Sequence, residues 1–272
     1  MQNPKRIAFI VSDMYPFLPE EDAIRMRNRV LPELFVQQGW EARMFLPRWG
    51  EVNERKHQLH EVIRLSGQNI VIGENDHPIL LKVSNVLPIR MQVYFVDNEE
   101  FFSRRRGWHA HIDKDPDNDE RCIFFCRSVL ETIKRQCWEP DIIYCSGWIA
   151  ALIPLYLRKC YTSVPFMDKA KIVVALDDQE YKNPFPTSFG EKLLIPGLTH
   201  TDVRDWNGFN VDYELLMRQA VDNADAVIEA TEGVNPRLTA LAQTKDKPLL
   251  NYNEENQTIL DFCQSMLPAN EL

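Results

Sequence analysis

Arg6-Ile7-Ala8-Phe9-Ile10-Val11 runs directly into Ser12-Asp13-Met14-Tyr15-Pro16-Phe17-Leu18-Pro19-Glu20-Glu21-Asp22, and a helix-period stretch follows as far as Gln38. A short apolar run, a turn-rich loop and an amphipathic stretch in that order make a βα unit. The pattern recurs along the chain. Strand-like runs at Ala42–Leu46, Ile142–Cys145, Ile172–Leu176 and Ala226–Ala230 each lead through a polar or Gly/Pro-bearing turn into a helix-period stretch. The predicted helices are Asp22–Gln38, Glu120–Cys137, Gly147–Tyr161, Tyr213–Ala224, Asn235–Ala242 and Glu254–Met266. Such alternation implies an α/β domain with a mainly parallel sheet. The first loop carries Glu20, Glu21 and Asp22 where a phosphate-binding loop would be expected. Carboxylates there suit the first turn of a helix and its macrodipole, and they remove the anion site that a bare helix N-terminus offers.

The period changes between residues 57 and 97. Gln58–Leu65, Asn69–Ile72, Ile79–Val83 and Met91–Val96 are short β-branched runs separated by Gly67-Gln68-Asn69 and Glu74-Asn75-Asp76-His77-Pro78. They read as antiparallel hairpin strands inserted beside the parallel core. Arg104-Arg105-Arg106-Gly107 through Asp117 reads as an exposed loop. Tyr181–Asn210 is long and rich in Pro, Gly and Asn, which suggests a lid or surface excursion rather than core.

The 272 residues, 44% hydrophobic and 26% charged, are enough for one large domain with its own core. A net charge of −9 disfavours nucleic acid or an anionic membrane as partner. No run approaches the about 18 apolar residues of a membrane span, and Ile7–Val11 is too short for a signal-peptide core, so a cytoplasmic location is expected. Cys122, Cys126, Cys137, Cys145, Cys160 and Cys263 show no Cys-x-x-Cys pairing and are expected to be mostly buried thiols, with neither disulfide nor metal site.

Several segments resemble the glycogen and starch synthases, which use ADP-glucose or UDP-glucose. They are the opening with Leu31-Pro32-Glu33-Leu34 and Gly39-Trp40, then Val93-Tyr94-Phe95-Val96-Asp97-Asn98-Glu99-Glu100-Phe101-Phe102, then Asp117-Asn118-Asp119-Glu120-Arg121. Pro140–Leu157, Lys171–Tyr181 and Met217–Leu238 continue the resemblance in order. It is closest to short stand-alone glycogen synthase-like proteins that hold only this half. The fold it implies is a three-layer Rossmann-like domain, equivalent to the N-terminal half of a two-Rossmann-domain glycosyltransferase. Residues 1–272 would then be a single domain, with residues 57–97 as the hairpin insertion, residues 247–272 as a terminal strand and closing helix, and the C-terminal nucleotide-binding domain absent.

Carried over position by position, the family's functional groups are mostly replaced. Its Lys-x-Gly-Gly diphosphate loop, aligned through Leu31-Pro32, places the lysine on Glu20 and the glycines on Asp22 and Ala23. Its His-Asp-Trp becomes Ser146-Gly147-Trp148, and its His-Asn pair becomes Asp177-Asp178. Transfer from a nucleotide sugar needs positive charge at the leaving group, and none stands at the matched positions. No catalytic residue and no cofactor is therefore assigned. The expected role is a catalytically silent relative that binds an α-glucan or a protein of glycogen metabolism. The alternative is a glucosyltransferase half completed by a separate chain.

The candidate ligand site is Ser12, Asp13, Ser146, Trp148, Asp177 and Asp178, all at predicted strand C-terminal ends, the edge where open α/β sheets bind ligands. Each has a second reading. Trp148 is a packing anchor or a sugar platform, and Asp177 and Asp178 are a solvated turn or a pair holding a sugar hydroxyl or a cation. Ser12 and Asp13 are loop caps or ligand contacts. Arg104, Arg105 and Arg106 form a basic patch, and His109 and His111, without a third ligand, make a weak metal reading. A half-domain of this kind should expose apolar surface near the strand ends, to be covered by self-association or by the Tyr181–Asn210 and Glu254–Met266 segments.

Overall fold

The computed structural model describes residues 4–18, 22–89, 91–103 and 113–268. Five strands fall where the alternation places them: β1 (Arg6–Ile10), β2 (Glu41–Pro47), β8 (Ile142–Ser146), β9 (Lys171–Leu176) and β10 (Ala226–Glu229). Between them lie β3 (His60–Glu61), β4 (Asn69–Ile72), β5 (Asn75–Pro78), β6 (Leu80–Val86) and β7 (Met91–Asp97), and β11 (Leu249–Leu250) ends the series. The helices are α1 (Ala23–Gln37), α2 (Asn118–Gln136), α3 (Ile153–Cys160), α4 (Phe189–Lys192), α5 (Tyr213–Asn223), α6 (Pro236–Thr244) and α7 (Asn256–Ser265).

The main sheet has the order β11-β10-β9-β8-β1-β2-β7-β6-β3, parallel from β11 to β7 and antiparallel at β6 and β3. From β1 to β2 the chain steps one way across this sheet, and from β7 through β8, β9, β10 and β11 it steps the other way. Right-handed crossovers therefore put α1 on one face and α2, α3, α5 and α6 on the other. The packing agrees, since α1 lies against α7 while α2, α3, α5 and α6 touch in succession. The result is a three-layer α/β domain whose strand order reverses at β1 and β8.

The 57–97 region departs from the expected insertion in two ways. Met91–Val96 does pair with β6, but β7 also runs parallel to β2 in the register Arg43↔Gln92, so it belongs to the parallel core. Its burial explains this, because Val93, Phe95 and Val96 are covered whichever face of the strand they occupy, as in a central strand. The separator Asn75–Pro78 is itself a strand, paired with β4 in a separate ribbon. Polar residues on a two-stranded ribbon leave no hydrophobic alternation to read.

Two other expectations change. The predicted helix Gly147–Tyr161 is a 3-10 turn at Trp148–Ala150 followed by α3, where Pro154 falls in the first turn and needs no hydrogen-bond donor. Tyr181–Asn210 is not a solvated lid: Tyr181, Phe185, Phe189, Leu193, Val203 and Trp206 are buried in the core, and Phe185 bridges to Val211. Arg104, Arg105, Arg106, His109 and His111 lie outside the described residues.

Asp97-Asn98 and Asp117-Asn118-Asp119-Glu120-Arg121 have structural work. Asp97 accepts from Lys82 Nζ at 2.9 Å, and Asn98 Oδ1 takes the Glu100 N–H at 2.9 Å. The fully buried Arg121 donates to the Phe101 carbonyl at 2.9 Å and to Asn118 Oδ1 at 2.6 Å, stapling the π-turn Glu99–Ser103 to α2. Four cysteines, Cys122, Cys126, Cys145 and Cys263, are buried thiols, and Cys137 is exposed. Among the described residues no helix is long and apolar enough to cross a membrane.

Candidate functional site

Because β9, β8 and β1 are neighbours, their C-terminal ends bring Asp177-Asp178, Gly147-Trp148 and Ser12-Asp13 side by side at the point where the strand order reverses. A cleft of about 780 Å³ opens there. Ser12, Asp13, Trp148 and Asp178 line it, together with Arg25, Trp49, Gly147, Tyr181, Lys182 and Gly233. Ser146 and Asp177 are buried and are not part of this lining. Residues 247–268 do not line it either: β11 extends the sheet edge and α7 covers α1, so this segment closes a flank and not the strand-end cleft.

Gly147 stands between Asp177 and Ser12. Its φ of +81° is in the region that favours glycine, and a Cβ there would stand 3.6 Å from Asp177 Oδ2 and 3.8 Å from Ser12 Oγ. The backbone conformation, more than the space, calls for glycine here, and it sets a hydroxyl and a carboxyl group side by side at this turn. Gly233 does similar work beside Asp178, whose Oδ2 would lie 3.1 Å from an added Cβ.

Asp177 is the chemically distinctive group. Its Oδ1 accepts the Gln179 N–H at 3.1 Å. Burial, and then repulsion from Asp178, Asp13 and Asp22, push its carboxyl up to about 7. Near neutral pH it is divided between a protonated form that can donate a hydrogen bond and an anion. Tyr213 supports this turn by donating its hydroxyl to the Asp177 carbonyl at 3.0 Å.

The loop before α1 is an acid-capped helix start. Asp22 Oδ1 accepts the Arg25 N–H at 2.8 Å, and Ala23 is the first helical residue; Glu20 lies outside the described residues. Arg25, a cation that sequence reasoning missed, reaches back from α1 into the cleft. Its Nε sits 3.1 Å from Asp13 Oδ2 and 3.2 Å from Asp22 Oδ2, so two carboxylates already neutralise it. The i,i+3 spacing of Asp22 and Arg25 was the available signal. Lys182, also on the lining, is paired with Asp113 at 2.8 Å. Asp22→Ala should cost about 1 kcal/mol through the lost cap, the half-exposed ion pair adding little. A lower denaturant midpoint with an unchanged slope would show it.

Trp148 is a packing anchor: it is buried, with ring centroids 5.4 Å from Tyr181 and 6.2 Å from Phe185. Trp49, to which the sequence assigned no place in the site, fixes the first loop by donating Nε1–H to the Ser12 carbonyl at 2.7 Å. Among the described residues no three His, Cys, Asp or Glu side chains are placed to hold a metal ion. Trp49, Trp148, Tyr181 and Phe185, near the strand ends, are buried, and among the described residues Val30, Ile63, Val71, Leu87 and Phe209 are the exposed large hydrophobics.

The family model for the starch synthase catalytic domain matches residues 6–232. The glycogen synthase of Chlorobium luteolum is 31% identical over 226 residues, covering 81% of this chain and 44% of that protein. The glycogen synthase of Chlorobaculum parvum is 34% identical over 225 residues, covering 82% of this chain and 45% of that protein. The chain thus spans under half the length of these curated relatives. Among solved structures, the catalytic domain of Starch Synthase IV from Arabidopsis thaliana, bound to ADP and acarbose, superposes with a TM-score of 0.72 at 16% identity, over 92% of this chain and 51% of that one. That likeness establishes the fold.

Proposed function

The chain belongs to the starch synthase catalytic-domain family, and from that membership we propose that it is a glycogen synthase relative that binds a neutral α-glucan in its strand-end cleft without transferring glucose. The observation that carries this reading is the charge of the cleft. Asp13 and Asp178 line it and Asp177 stands behind Gly147, while Arg25 and Lys182, the basic side chains on its described lining, are each held by carboxylates. A diphosphate would meet like charge, at about 4 kcal/mol for each contact at an effective dielectric near 20. Sugar hydroxyls meet carboxylate acceptors on Asp13 and Asp178. Of the two ligands held by the Arabidopsis domain, acarbose is carried over to this chain and ADP is not. Its role would then be that of a binding member of glycogen metabolism.

Calorimetry on the purified chain tests this. Maltoheptaose should give saturable binding that Asp178→Ala weakens, and ADP, ADP-glucose and UDP-glucose should give none. Saturable binding of ADP-glucose with none of maltoheptaose would overturn the proposal.

A further inference from the structure

Three consecutive residues of the strand-end cleft, Gly147, Trp148 and Ile149, belong to the turn that joins β8 to α3. Gly147 has a φ of +81°, and the 3-10 turn Trp148–Ala150 follows it directly. Two backbone bonds tie this segment to itself. The Ala150 N–H donates to the Gly147 carbonyl at 3.2 Å, and the Ala151 N–H to the Trp148 carbonyl at 3.1 Å. The Ile149 carbonyl is different. Its residue is buried, and among the described residues no backbone N–H donates to it. A buried carbonyl in a native protein needs a donor from somewhere.

The donors come from α2, which lies against the turn. Cys126 Sγ is 3.1 Å from the Ile149 carbonyl oxygen, and Cys122 Sγ is 3.6 Å from the same oxygen and 3.4 Å from that of Trp148. Their i,i+4 spacing sets both thiols on one face of the helix. Both side chains are fully buried, and burial, reinforced by the neighbouring Cys126, pushes the Cys122 thiol well up, so the proton that makes it a donor stays on sulfur. Neither cysteine lines the cleft. We infer that Cys122 and Cys126 are positioning residues of the cleft, whose S–H groups hold the Gly147–Ile149 turn in the conformation that meets the ligand; that ligand is the neutral α-glucan proposed above, and to that extent the role rests on that reading.

A donor role and a packing role predict opposite orders for two variants. Serine keeps a donor in a smaller side chain, whereas valine fills the space and has none. Calorimetry with maltoheptaose, well below the melting temperature, should find Cys126→Ser within about twofold of the parent and Cys126→Val about tenfold weaker, because a turn that has lost its donor relaxes and binding must restore it. Hydrogen exchange supplies a readout without ligand. In Cys126→Val the Ala150 and Ala151 amides should exchange about tenfold faster, while the amides of α7 keep the parent rate and Cys126→Ser behaves as the parent throughout. Cys122→Val, which removes only the longer contacts, should move both readouts the same way by a smaller factor, and it carries the comparison if Cys126→Val does not fold. A parent that binds no maltoheptaose would sink the glucan reading alone, and the exchange comparison would then decide the role of the thiols. Equal exchange in the serine and valine variants, a valine variant closer to the parent than the serine one, or faster exchange that extends to α7 would assign both cysteines to packing and overturn the inference.

Discussion

Labelled glucose will remain on ADP-glucose, and on UDP-glucose, when either is incubated with this chain and a maltooligosaccharide primer. In glycosyl transfer the departing diphosphate gathers negative charge, and the catalyst must hold positive charge at that place before the bond breaks. In the described cleft the guanidinium of Arg25 is already shared by Asp13 and Asp22, and Lys182 is held by Asp113. Each missing donor of the leaving-group kind costs roughly 10²–10³ in rate, so two of them place transfer about 10⁴-fold or more below a competent synthase. A full-length glycogen synthase assayed beside it supplies the scale. Transfer within about 10²-fold of that control, from a preparation free of other synthases, would refute the silent reading.

Replacing Asp177 by Asn should stabilise the protein at pH 8 far more than at pH 5. In the unfolded chain this carboxyl ionises near the ordinary aspartate value of about 3.9, whereas in the fold burial pushes it up to about 7. Below pH about 4 both states hold the proton, and the group costs nothing. Between about 4 and 7 the folded state keeps a proton that the unfolded state has released, so stability falls as pH rises, and above about 7 the loss stays at its full size. Asn keeps an oxygen for the Gln179 N–H and removes the charge. The advantage of the variant should therefore grow by about 2–3 kcal/mol from pH 5 to pH 8, read from denaturant midpoints at a series of pH values. An advantage that does not change with pH would mean that Asp177 is not a buried, late-titrating carboxyl.

The sheet was legible where burial is two-sided, because runs such as Ile142–Cys145 and Ile172–Leu176 need no partner to declare themselves. Pairing was so only in part. The hairpin with β6 was legible, but nothing within Met91–Asp97 states that β2 lies along its other edge, since that depends on residues more than 40 positions away. Composition misled at Tyr181–Asn210, where prolines and asparagines obscured aromatic residues spaced to pack, as the stacked Tyr181 and Phe185 rings do at 4.3 Å. At the site, Ser12, Asp13, Trp148 and Asp178 line one cleft because strand termini collect on one edge of any parallel sheet, which the strand ends made legible. They could not give Arg25. It lies one turn inside a helix, and only the fold shows that its side chain turns back toward Asp13.

The seating of α7 on α1 sets a timetable for biosynthesis. Arg27 on α1 donates to the carbonyl of Asn253 at 3.0 Å, and its guanidinium stacks over the Tyr252 ring, a closure that spans 226 positions of sequence. At translation speeds of about 5–20 residues per second, roughly 10–45 s pass between synthesis of the two ends. Throughout that interval the first helix waits on the ribosome with one flank unclothed. The parallel strands behind it, slow to assemble because their contacts are non-local, are still pairing. The nascent chain is therefore most exposed to chaperone capture, or to sticking to its neighbours on the polysome, in the stretch of elongation before Tyr252 emerges.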